Sequence, residues 1–167
     1  LLETGEDEEA LKAFRLASHI DKTFLEAWGS QGITLKKQGL YHEAIDALEK
    51  VLELDTNNFV ALTNLGVIYR QINDLEKALA LTLKAIEYKP ENPNTYIDLG
   101  LIYKDLGNME EALFSTIKSV ELDPKNATAH MNLGGIYKEI GQLDQALAET
   151  LKSIQIKDDN ANVHLNI

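Results

Sequence analysis

The chain has 167 residues, 44% hydrophobic and 26% charged, with no cysteine. That is enough to bury a core, but the apolar residues are too dispersed to give the roughly 18 in a row of a membrane-spanning helix. A net charge of -11 argues against phosphate-backbone partners, and the lack of thiols excludes disulfides and Cys-ligated metal centres.

One unit recurs along the chain. Gly32, Gly66, Gly100 and Gly134 stand 34 residues apart, as do Ala10, Ala44, Ala78, Ala112 and Ala146. Tyr69, Tyr103 and Tyr137 form a further column. In chain order the period predicts a partial unit over 1–24, full units over 25–58, 59–92, 93–126 and 127–160, and the start of another over 161–167. The opening piece is expected to turn at Gly5 and to begin a helix at Glu8-Glu9, where acid complements the positive helix end.

Each full unit reads as helix, turn, helix. Leu62, Leu65, Ile68 and Tyr69 keep to one face of a 3.6-residue helix, and Leu75, Ala78, Leu79, Ala85 and Ile86 do the same for a second. Between them lies Asn73, where other units carry Gly39, Gly107 and Gly141; both residue types accept the left-handed conformation of a reversal. Asn58, Asn92, Asn126 and Asn160 are expected to cap first helices, and Pro90 and Pro124 to close the helices before them. The Gly66 column inside a first helix predicts close approach to the Ala78 column.

With Leu65-Gly66 in the seventh and eighth places, Tyr69 in the eleventh, Ala78 in the twentieth and Pro90 in the thirty-second, the unit resembles the tetratricopeptide repeat. The resemblance spans essentially the whole chain. It implies an all-α fold, a right-handed α-solenoid of antiparallel helix pairs with first helices on a concave wall. One departure is systematic. Thr82, Thr116 and Thr150 occupy the twenty-fourth place, where the family often has an aromatic, so thinner packing is expected there. The array also opens and closes mid-unit, so it is expected to continue beyond these residues or to pack its ends on something.

Family geometry implies a peptide-binding groove lined by Thr63, Asn64, Val67 and Arg70, then Asn94, Ile97, Asp98, Leu101 and Lys104, then Met131, Asn132 and Lys138, and finally Asn166. Asn64, Asp98, Asn132 and Asn166 recur in the sixth place. They are similar to the asparagine ladder by which the repeat domain of O-linked N-acetylglucosamine transferase holds an extended peptide backbone. An amide can donate and accept together. Lys36, Arg70, Lys104 and Lys138 form a basic stripe, suited to acidic ligand side chains or to the negative end of each helix dipole. The clamp that binds acidic chaperone tails needs Lys at the fifth place and Asn at the ninth; Gly29, Thr63, Ile97, Met131, Leu165 and Ile33, Val67, Leu101, Gly135 do not supply it.

No chemistry is legible. His130 and His164 sit a full unit apart, too far to share a metal, and are expected to pack between helices. No phosphate-cradling loop or nucleophile–base pair appears. The expectation is a non-enzymatic protein-interaction scaffold without cofactor, binding an extended peptide, with neither nucleic-acid binding nor membrane insertion. The alternatives are a homo-oligomer assembled through Leu1, Leu2, Val163 and Ile167, or the substrate-docking arm of a larger transferase. The cytoplasm is the expected compartment, although the start of the chain carries no address.

Overall fold

A computed structural model of the chain describes the backbone of residues 2–165 and the side chains of residues 7–158. Among the described residues the chain forms nine helices and no strands: α1 (Leu2–Ile20), α2 (Leu25–Lys37), α3 (Tyr41–Leu54), α4 (Phe59–Gln71), α5 (Leu75–Tyr88), α6 (Pro93–Asp105), α7 (Met109–Leu122), α8 (Ala127–Glu139) and α9 (Leu143–Leu165). They fall into two compact units, α1–α5 and α6–α9. Inside each unit helices adjacent in sequence pack on each other, and first helices of successive hairpins also touch, α2 with α4 and α6 with α8.

The hairpin turns are set by a single left-handed residue. Asn73 has φ 64° and Gly39, Gly107 and Gly141 have φ of 75°, 81° and 80°. The residue after each of these donates its N–H five positions back, as Asp74 to Tyr69 O at 2.8 Å and Gln142 to Tyr137 O at 2.8 Å. These bonds satisfy carbonyls that a helix end otherwise leaves open.

Caps begin the first helices as expected. The Asn58 side chain accepts from Ala61 N at 3.1 Å, and Asn92 and Asn126 each accept from two backbone N–H groups. At two places the expected punctuation is absent. Helix α1 runs through Gly5, where a turn was expected, so Glu8 and Glu9 lie within it and not at its start. A glycine inside a helix costs only about 1 kcal/mol, and the Leu and Glu residues on either side are good helix formers that carry the helix through it. Helix α9 likewise runs through Asn160, where the start of a new helix was expected. Asp21, Asp55 and Asp123 close their turns by accepting from Thr23 N, Asn57 N and Lys125 N, and the remaining turn has Pro90. The equivalent Lys157-Asp158 offers neither a proline nor that acceptor, so nothing stops the helix.

Where first and second helices meet, small residues let the backbones approach. Ala44, Ala78 and Ala112 are fully buried. A Cβ on Gly66 would lie 2.7 Å from Thr82 Oγ1 and 3.6 Å from Ala78 O, and one on Gly134 would lie 2.8 Å from Thr150 Oγ1 and 3.0 Å from Ala146 O. The glycine thus faces the alanine's carbonyl and, beside it, the threonine four residues on. This corrects the expectation of thin packing. Thr82 and Thr116 are buried, and Thr116 and Thr150 return their hydroxyls to Ala112 O at 2.9 Å and Ala146 O at 2.8 Å. In the first full unit Leu48 fills the same space against Gly32. Around these contacts Leu35, Leu48, Leu62, Leu65 and Ile68 form the core of the first unit, and Leu99, Ile102, Leu133 and Ile136 that of the second. Each such side chain contributes about 1.5–3 kcal/mol by leaving water.

At three of the turns between hairpins the equivalent carbonyl meets a different side chain. Trp28 Nε1 donates to Lys22 O at 3.0 Å, Lys84 Nζ to Thr56 O at 2.8 Å, and His130 Nε2 lies 3.0 Å from Pro124 O. Lys22, Thr56 and Pro124 occupy the same place in the repeat.

Candidate binding faces on the first helices

The residues expected to line a groove sit on the first helices α4, α6 and α8, but several of their polar groups are already used. Asn64 accepts from Lys36 Nζ of α2 at 2.6 Å and donates to Val60 O of its own helix at 2.8 Å. Both halves of its amide are engaged. Thr63 returns its hydroxyl to Phe59 O at 3.0 Å and Val60 O at 3.1 Å. In the second unit Asn94 Oδ1 accepts from Asn126 Nδ2 at 3.2 Å, and Lys104 Nζ pairs with Glu139 Oε1 at 2.6 Å.

Two members of the basic stripe, Lys36 and Lys104, therefore bridge neighbouring first helices. An exposed or half-exposed pair of this kind contributes about 0–1 kcal/mol, so the bridges guide register more than they supply stability.

The apolar members differ in exposure. In the first unit Val67 is half-buried and Val60 is 48% exposed; in the second Leu101 is half-buried and Met131 is 39% exposed. Ile97, expected on the groove wall, is instead buried at 7% exposure. A branched aliphatic chain at a register held elsewhere by Gly29 and Thr63 gains more from packing than from facing water. Arg70, Asp98 and Asn132 are half-buried and Lys138 is exposed. Asn166 lies outside the described residues, as do the side chains of Leu1, Leu2, Val163 and Ile167.

The second unit also holds a buried polar cluster. His130 is 4% exposed; its Nδ1 lies 2.5 Å from Glu149 Oε2, and Glu149 Oε1 accepts from Lys152 at 2.8 Å. Burial pushes the Glu149 carboxyl upward, but the hydrogen bonds from Lys152 and His130 outweigh it and hold the group below the ordinary carboxylate value. This is interhelical packing between α8 and α9, the role expected for His130. Among the described residues no three His, Asp or Glu side chains converge as metal ligands, and no helix is long and apolar enough to cross a membrane.

Family models described as "Tetratricopeptide repeat" match residues 25–58, 47–80 and 127–160, and a model described as "TPR repeat" matches 66–107 and 100–141. The chain belongs to the tetratricopeptide repeat family. Its fold is similar to solved structures of MamA. "Crystal structure of MamA" superposes with a TM-score of 0.83 at 25% identity, covering 96% of this chain and 94% of that one. "MamA 41-end from Desulfovibrio magneticus RS-1" gives 0.84 at 26% identity over 95% and 89%, and "MamA RS-1 ArsTM double mutant" gives 0.82 at 27% over 95% and 89%. No curated protein matches the sequence. An all-α tetratricopeptide fold with these neighbours supports a protein-interaction scaffold.

Proposed function

We propose that this tetratricopeptide chain is a non-catalytic scaffold that binds an extended peptide segment of a partner protein on the faces of its first helices. One observation carries this reading: apolar side chains stay partly in water, Val60 and Met131 foremost, on the same helix faces as the amides of Asn64 and Asn132. Such a surface offers a peptide both backbone hydrogen bonds and side-chain contacts. The residues assigned to it are Asn64, Val67 and Arg70 in the first unit and Asp98, Leu101, Lys104, Met131, Asn132 and Lys138 in the second. Useful affinity lies near micromolar, about -8 kcal/mol.

The amide of Asn64 reaches a ligand only by releasing Lys36, which gives the test two opposed arms. Peptides selected by display on the wild type are titrated calorimetrically. The Asn64→Ala/Asn132→Ala variant is expected to bind about tenfold more weakly, and Lys36→Ala severalfold more tightly because it frees the amide oxygen. Equal affinities across all three proteins rule out the amides as ligand contacts.

A further inference from the structure

Where α1 meets α2 the repeat pattern breaks at four places at once. Gln31 stands where the other units have Leu65, Leu99 and Leu133, and Ser18 where they have Leu52, Ile86 and Val120. His19 replaces the acids Glu53, Glu87 and Glu121, and Lys22 replaces Thr56, Pro90 and Pro124. Two apolar positions become polar, and an acidic column is interrupted. A fold that repeats its own solution elsewhere gains nothing in stability from these exchanges, and local rule-breaking of this kind marks function.

The result is a cavity of about 300 Å³ lined by Arg15, Ser18, His19, Lys22, Trp28 and Gln31. Ser18 is buried at 3% exposure, and its hydroxyl lies within hydrogen-bond reach of Arg15 O at 3.2 Å and Gln31 Oε1 at 3.3 Å. No carboxylate lines the cavity. Outside it, Glu43 pairs with Arg15 at 2.6 Å, and Asp21 accepts from Thr23 N and Oγ1 at 2.8 and 2.7 Å. On a chain of net charge -11 the cleft offers Arg15, His19 and Lys22 around one indole.

We propose that this cleft is a second binding site, separate from the first-helix faces, which takes an acidic segment of a partner protein. Its carboxylates meet Lys22, His19 and the outer edge of Arg15, while the aliphatic part of a Glu or Asp side chain lies against Trp28. Charge complementarity selects this occupant, because acidic peptides are repelled by the rest of so acidic a surface.

Trp28 is the single tryptophan, so its fluorescence reports occupancy. The intact chain is titrated separately with a capped hexaglutamate peptide, with inorganic phosphate and with a single-stranded oligonucleotide. The variant His19→Glu/Lys22→Thr installs the residues found at Glu53 and Thr56, so it keeps the fold, as circular dichroism verifies. The expected result is a saturable response to hexaglutamate that weakens about tenfold in the variant and falls with added salt. A flat titration, an equal response in the variant, a matching response to phosphate, or tighter binding of the oligonucleotide each overturns the proposal.

Discussion

Alanine in place of Gly100 is expected to destabilise the chain by about 1–3 kcal/mol, although the same exchange at an open helical position adds up to about 1 kcal/mol. The new Cβ would strike Thr116 Oγ1 and lie 3.2 Å from Ala112 O. Thr116 has nowhere to turn: it is 1% exposed and its hydroxyl is held by that same carbonyl at 2.9 Å. Removing the obstacle should therefore restore what alanine costs. In urea unfolding followed by circular dichroism, Gly100→Ala/Thr116→Ala should be more stable than the two single losses summed. Gly135 is the control, because a Cβ there meets nothing within 4 Å. Gly135→Ala should be neutral or stabilising by up to about 1 kcal/mol. If both glycines respond alike, close approach is not why the column is glycine.

His130→Ala is expected to cost about 2–4 kcal/mol, combining a cavity with the loss of partners for Pro124 O and Glu149. His130→Leu restores the residue that Leu62 supplies in α4, keeps most of the volume and should cost clearly less. The pH dependence follows from Glu149. Its folded pKa lies below the ordinary 4.5, so the unfolded chain binds this proton first as pH falls. The contribution to stability is full above 4.5 and is lost on acidification through the folded value. Tm measured downward from pH 6 should drop more steeply in the wild type than in Glu149→Gln; parallel curves would remove the carboxylate from the account.

The repeat itself was plain from glycine, alanine and asparagine columns, because turn and cap positions demand particular residue types wherever the unit recurs. Asn73 shows how far this goes: a single non-glycine in the turn column still predicted the left-handed conformation found there. Helices α1 and α9 run on past an expected turn and cap because local residues outweigh the column; Lys157-Asp158 lacks the stop that Pro90, Pro124, Asp55 or Asp123 provides elsewhere. The worth of Thr116 is not legible locally, since it depends on Gly100 across the hairpin. The Glu149 partner of His130 could have been found, for an acid there interrupts a column otherwise held by Ala47, Leu81 and Ser115. By contrast, nothing local told that Lys36 would occupy Asn64 or that Ile97 would turn inward. Those outcomes depend on how adjacent helices settle against each other.

The turn carbonyls of Lys22, Thr56 and Pro124 are met by an indole, an ammonium and an imidazole, the first and last from the helix that follows and the second from a helix further on. An acceptor so undemanding about its donor lets a duplicated hairpin drift at that seam without its neighbour changing in step. Modules of this chain can thereby diverge in a way that tightly matched partners cannot, as the side chains at the α1–α2 junction do, while each hairpin keeps its turn.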